Sequence, residues 1–174
     1  MEKNKIIILD TSILCVWLQV PGMESCGSDE ECFNYDDVKK IIDEQIAASA
    51  TLVLPLATII ETGNHIAQCN GDKHNVAKEF ADFIVKSING DNPWALFTKQ
   101  SSIWEGDKLK DLVKTWLGNV AAKHSFGDAS IVSVANDYAK LSTCEVFIFT
   151  GDKGLSAYSP VDIAKIATPR RRRK

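Results

Sequence analysis

The stretch Lys5-Ile6-Ile7-Ile8-Leu9-Asp10-Thr11-Ser12-Ile13-Leu14 decides the fold. Its apolar run shows no polar alternation, which marks a strand buried on both faces, the signature of a parallel sheet. The run stops at an acid and two hydroxyl residues, any of which caps a helix beginning near Ile13. A buried strand that feeds straight into a helix is the repeating unit of α/β architecture.

Further along, residues 21–37 are rich in Gly, Ser, Cys and acids and lack a period, so they read as a mobile loop. A helix is predicted over 38–48 with Ile41, Ile42 and Ile46 inward. Residues 51–54 form a second strand, and Pro55 opens a helix over 56–68. An amphipathic helix over 74–88 ends at Gly90-Asp91-Asn92-Pro93, before a third strand at 94–97. Helices over 105–122 and 127–141, a fourth strand at 145–150 and a weak fifth at 162–167 complete the alternation. The expected fold is a central parallel sheet of four to five strands between helices. It forms one domain over 1–168 with a basic tail at 169–174.

The 174 residues suffice for one core without disulfides or a structural metal. Five cysteines without CxxC spacing read as reduced thiols. His65 and Cys69 stand four apart, but no further zinc ligands can be placed beside them. The apolar run near the N-terminus is too short for a signal core or a membrane span, so a cytoplasmic protein with no membrane partner is expected. The tail RRRRK supplies five of the 20 basic residues, which leaves 15 basic against 23 acidic residues elsewhere, a net charge of −8. An acidic body binds phosphate poorly unless cations cover its carboxylates, whereas a basic tail attracts polyanions or simply stays solvated.

Acids just beyond the carboxyl ends of parallel strands carry weight, because ligands bind there in open α/β sheets. Asp10 ends the first strand, and Asp152 follows the fourth through Gly151. Glu61 interrupts the apolar stretch PLATIIE, and Asp128 opens the helix SFGDASIVSVAN. Each has an ordinary structural explanation: a helix cap for Asp10, a first-turn acid favoured by the helix dipole for Asp128, a turn acid for Asp152, an exposed helical glutamate for Glu61. Brought within about 5 Å, each pair would repel by roughly 3 kcal/mol at an effective dielectric near 20. A divalent cation relieves that conflict, and an all-oxygen donor set selects Mg²⁺ or Mn²⁺ over zinc.

The segments ILDTSIL, PLATIIE, SFGDASIVSVA and FTGDKGL, in this order and across nearly the whole chain, resemble the PIN-domain nucleases, which include the VapC toxins. The resemblance implies a PIN-like fold with Asp10, Glu61, Asp128 and Asp152 as metal-binding catalytic acids. It also implies Thr11, Ser12 and Thr150 as supporting hydroxyls, and metal-assisted hydrolysis of single-stranded RNA as the activity. An antitoxin or other protein partner and a homodimer are expected on the same ground. The acidic segment 21–37, the extra length and the tail depart from compact toxin members and put a toxin role in doubt.

Asn64, three residues after Glu61, is a candidate to orient phosphate or water. Lys123, His124 and Lys153 flank the acids, and with Arg170, Arg171, Arg172 and Arg173 they are candidate phosphate contacts. Trp17, Trp94, Trp104 and Trp116 read as core or interface residues. A haloacid-dehalogenase-like phosphatase needs acids where Ser12 and Ser156 stand, and a dinucleotide-binding domain needs a glycine-rich turn after the first strand. The remaining alternatives are a non-catalytic PIN-like module that binds RNA or protein, and a DNA-cleaving nuclease.

Overall fold

A computed structural model of the chain describes residues 3–89, 93–161, 166 and 170–171. Strand β1 (Asn4–Leu9) runs into helix α1 (Thr11–Trp17). A hairpin of β2 (Ser25–Gly27) and β3 (Glu31–Asn34) precedes α2 (Tyr35–Ala47), β4 (Thr51–Leu54), α3 (Leu56–Gln68) and α4 (Lys73–Ile88). Next come β5 (Trp94–Leu96), a 3-10 segment Phe97–Trp104, α5 (Gly106–Asn119), a 3-10 turn Val120–Ala122 and α6 (Phe126–Ala139). The last elements are β6 (Cys144–Phe149), α7 (Lys153–Ser156) and β7 (Arg170–Arg171).

The main sheet has the order β5-β4-β1-β6 with every pair parallel. Strand β1 is central because its side chains are apolar on both faces, and the period of two divides them between two cores. Ile7 and Leu9 pack with Leu52, Leu54, Phe147 and Phe149 against α1 to α4. Ile6 and Ile8 pack with Val53, Val146 and Ile148 against α5 and α6. The α/β sandwich expected from the sequence is therefore present. Trp17, Phe83 and Trp94 form a contiguous ring cluster at centroid separations of 4.8 to 5.3 Å on the first core, and Trp104 and Trp116 pack on the second. All four tryptophans thus belong to packing. No helix among the described residues is long and apolar enough to cross a membrane.

Ile46, expected to face inward on α2, is exposed, and two further expectations need correction. Residues 21–37 are not a plain loop: they hold the β2–β3 hairpin, and α2 begins at Tyr35 through a capping box between Asn34 and Asp37, ahead of the predicted start at 38. Strands of three and four residues, with Phe33 as the buried anchor, are too short to show a period. The tail also contributes structure, since the backbone of Arg170 and Arg171 pairs with Cys32 and Glu31 to extend the hairpin into a second, antiparallel sheet. The predicted strand at 162–167 lies almost wholly outside the described residues, as do Arg172 and Arg173.

Candidate active site

Beside β1 the chain order of the sheet reverses, with β4 on one flank and β6 on the other, so the carboxyl ends of β1 and β6 border the crevice where α/β sheets bind ligands. Asp10 lies at that seam. Its N–H donates to the Phe149 carbonyl at 3.0 Å, and its side chain, only 6% exposed, caps α1. Asp10 Oδ2 accepts from Ser12 Oγ at 2.7 Å and from Thr150 Oγ1 at 2.8 Å. Burial pushes the Asp10 carboxyl above its ordinary value, and the hydroxyls of Ser12 and Thr150 oppose that rise by favouring the anion.

The same two hydroxyls knit the seam together. Ser12 Oγ accepts from the Gly151 N–H at 3.1 Å, and Thr150 Oγ1 accepts from the Asp152 N–H at 2.9 Å. Asp152 is exposed and caps α7, with Oδ1 accepting from the Gly154 N–H at 2.6 Å. Thr150 therefore links the Asp10 carboxylate to the Asp152 backbone through two hydrogen bonds.

On the other side, Thr58 on α3 donates to the Leu9 carbonyl at 2.8 Å and pins that helix to the end of β1. One turn later Glu61, half-buried, accepts from Thr11 Oγ1 at 2.9 Å. Burial raises the Glu61 carboxyl, the Thr11 hydroxyl lowers it, and the charges of Asp10 and Asp128 raise it further. The α6 backbone lies against this carboxylate: a Cβ on Gly127 would stand 2.1 Å from Glu61 Oε1. Asp128, the next residue, closes a capping box with Ser125 by accepting the Ser125 N–H at Oδ2, 2.7 Å away.

The structure thus joins Asp10 to Glu61 through Thr11, sets Glu61 against the start of α6, and joins Asp10 to Asp152 through Thr150. The capping roles of Asp10, Asp128 and Asp152 are real. The four acids form a string along the sheet edge, and among the described residues no group of three or more His, Cys, Asp or Glu side chains stands close enough to hold one ion. None of the ion pairs among the described residues involves any of the four.

Among the flanking candidates, His124 packs edge-on against Tyr158 at 4.7 Å and faces Gly154, which sets it beside the start of α7. Lys123 is exposed in a left-handed turn, φ 64°. Lys153 lines an open cavity of about 410 Å³ together with Ser12, Gly27, Ser28, Gly151 and Asp152. Asn64 is exposed on α3, and no hydrogen bond ties it to the acids. The cysteines are free thiols, and burial pushes Cys15 up to about 11 and Cys26 up to about 12.

Sequence reasoning did not assign roles to Gly127, Gly151 or Thr58. A Cβ on Gly151 would meet the Gly27 backbone nitrogen at 2.7 Å, so this glycine lets the hairpin close over the end of β6. The signal was the Gly-Asp pair at 127–128 and again at 151–152, where a missing side chain beside an acid marks a close approach. No family model matches the chain, and no curated protein matches it either, so the reading of this edge rests on its own residues.

Proposed function

We propose that this protein is a divalent-metal-dependent endoribonuclease that cleaves single-stranded RNA at the β1–β6 edge. The observation that carries the reading is the condition of Asp10 and Glu61. Both carboxyls are withdrawn from water, both are raised by that withdrawal, and no ion pair among the described residues compensates them. Carboxylates withdrawn from water and held by hydroxyls, with no opposite charge beside them, remain costly, and a hard cation would relieve the cost.

The donor chemistry suits Mg²⁺ or Mn²⁺, with Asp10, Glu61, Asp128 and Asp152 as the ligands and the Asp128 and Asp152 side chains turning inward to complete the set. When bound, such an ion would supply an activated water and positive charge at the reacting phosphate. The chain's own residues provide orientation. Ser12 and Thr150 fix the Asp10 carboxylate, and Thr11 fixes Glu61. Lys123, His124, Lys153 and the basic tail, which β7 attaches to the hairpin over this edge, are the proposed phosphate contacts.

The open spacing of the acids favours a second reading, a PIN-like module that binds RNA or a protein without cutting. The two separate in one assay. Labelled single-stranded RNA and single-stranded DNA are incubated with the protein in Mn²⁺, in Mg²⁺ and in EDTA, beside a folded Asp128→Asn variant. Metal-dependent RNA cleavage that the variant loses supports the nuclease; cleavage of DNA alone changes the substrate class; RNA binding without cleavage selects the module.

A further inference from the structure

Among the described residues Tyr158 is the only phenylalanine, tyrosine or tryptophan whose side chain is exposed; every other such ring is buried or half-buried. It packs in neither core. Its ring contact is with His124, edge to face, with centroids 4.7 Å apart and planes at 69°. In such a pair one ring presents only its edge, so its own faces are left for another flat group.

The pair stands at the acid edge and is held there from both sides. The position that a Cβ on Gly154 would take lies 3.8 Å from His124 Nε2 and 3.1 Å from Asp152 Oδ1, so the imidazole sits beside the Asp152 carboxylate. Trp116 Nε1 donates to the His124 carbonyl at 3.2 Å, and Ser125, the next residue, caps α6. Lys123, just before His124, takes a left-handed φ of 64°, an uncommon conformation for lysine that the surrounding fold must hold. On the other side, the Tyr158 N–H donates to the Leu155 carbonyl at 3.0 Å. Ser159 Oγ accepts from the Ile148 N–H at 2.9 Å and ties the segment to β6.

We propose that His124 and Tyr158 form a stacking platform for a nucleobase of single-stranded RNA beside the acid edge. The proposal deepens the nuclease reading and takes its substrate from it. Outside its RRRRK tail the chain is strongly acidic, so phosphate contacts alone hold a strand poorly. A base is the uncharged part of a nucleotide, and every base has a π face, so stacking adds affinity without regard to sequence. Lys123 and Lys153, exposed before His124 and after Asp152, flank the platform on the side of the strand's phosphates. In a duplex the bases stack on one another, so the platform selects single strands.

The test is fluorescence anisotropy of a short labelled oligouridylate, and of an oligomer of the same length without bases, titrated with the full chain. Ca²⁺, a hard cation that takes the same oxygen donors, replaces Mn²⁺, and the strand is checked intact afterwards. The wild type is expected to bind the oligouridylate at least about tenfold more tightly than the baseless strand. Tyr158→Ala is expected to lose most of that preference, His124→Ala to reduce it, and Tyr158→Phe to keep it, all three melting as cooperatively as the wild type. No binding, equal binding of the two strands, or a Tyr158→Ala protein that keeps the wild-type preference overturns the proposal. So does a Tyr158→Phe protein that loses the preference as fully as alanine, which assigns the effect to the hydroxyl and not to the ring. The nuclease reading is judged apart, by cleavage in Mn²⁺. Base-dependent binding that needs Tyr158, in a protein that cuts nothing, leaves the platform standing and removes the nuclease; cleavage that Tyr158→Ala leaves unchanged in kcat and KM removes the platform and leaves the nuclease.

Discussion

Thr150 Oγ1 donates to Asp10 Oδ2 at 2.8 Å across the β1–β6 seam, and the same hydroxyl accepts the Asp152 N–H. One buried side chain therefore holds the carboxylate of one acid and the backbone of another 142 positions away in sequence. Replacing it with valine keeps the shape and removes both bonds. Thr150→Val is expected to cost about 1–3 kcal/mol, because it removes one of the two hydroxyl donors to the buried Asp10 carboxylate and leaves the Asp152 N–H without its acceptor. It should lower cleavage further than stability alone explains, as read by melting and by initial rates at a temperature where both proteins are folded.

Asp10 gives a pH signature. Burial holds its folded value above the unfolded one, so between those values the native state binds more protons than the unfolded chain, and stability falls as pH rises through that window. Glu61 acts in the same direction. Asp10→Asn is therefore expected to melt higher than the wild type near neutral pH without added metal, by about 2–4 °C for each kcal/mol relieved. The advantage should shrink as pH drops below the folded value and the wild-type carboxyl protonates. A variant that melts lower at neutral pH contradicts the account of Asp10 as a carboxylate whose burial outweighs its hydroxyl donors.

Gly127→Ala places a methyl where Glu61 Oε1 now sits, and the carboxylate, as the end of a flexible side chain, can swing away. Stability should change by less than about 1 kcal/mol while metal-dependent cleavage drops at least tenfold, a figure equal to about 1.4 kcal/mol of transition-state stabilisation. Unchanged cleavage would remove Glu61 from the site.

Gly151→Ala meets backbone, not a mobile side chain, since its Cβ would lie 2.7 Å from the Gly27 nitrogen. The hairpin must shift, and the overpacking is expected to cost about 1–3 kcal/mol. Hydrogen exchange should show faster opening at 25–34, with the parallel sheet little affected.

The central strands and long helices were legible because their residues carry strong periods: Ile6 to Leu9 admit no other reading, and the α4 stripe of Phe80 and Phe83 fixed its buried face. Asp10 and Asp152 were legible as strand-end acids for the same reason. The hairpin was not, because Cys26 and Phe33 are brought together by a pairing that no local pattern announces. Nor was the pairing of Cys32 with Arg170, whose partners lie 138 residues apart. The sequence also could not show how far Asp128 and Asp152 commit themselves to capping, since a first-turn acid serves a helix and a ligand equally well.

The most direct measurement is calorimetric titration of Mn²⁺ into the metal-free protein, repeated for Asp10→Asn and Glu61→Gln variants that melt cooperatively. The account predicts saturable binding by the wild type, weakened at least tenfold or lost in both variants, with a melting temperature that rises with Mn²⁺ only for the wild type. No heat of binding to the wild type, or binding that survives both substitutions, would contradict the assignment of these carboxylates to a metal.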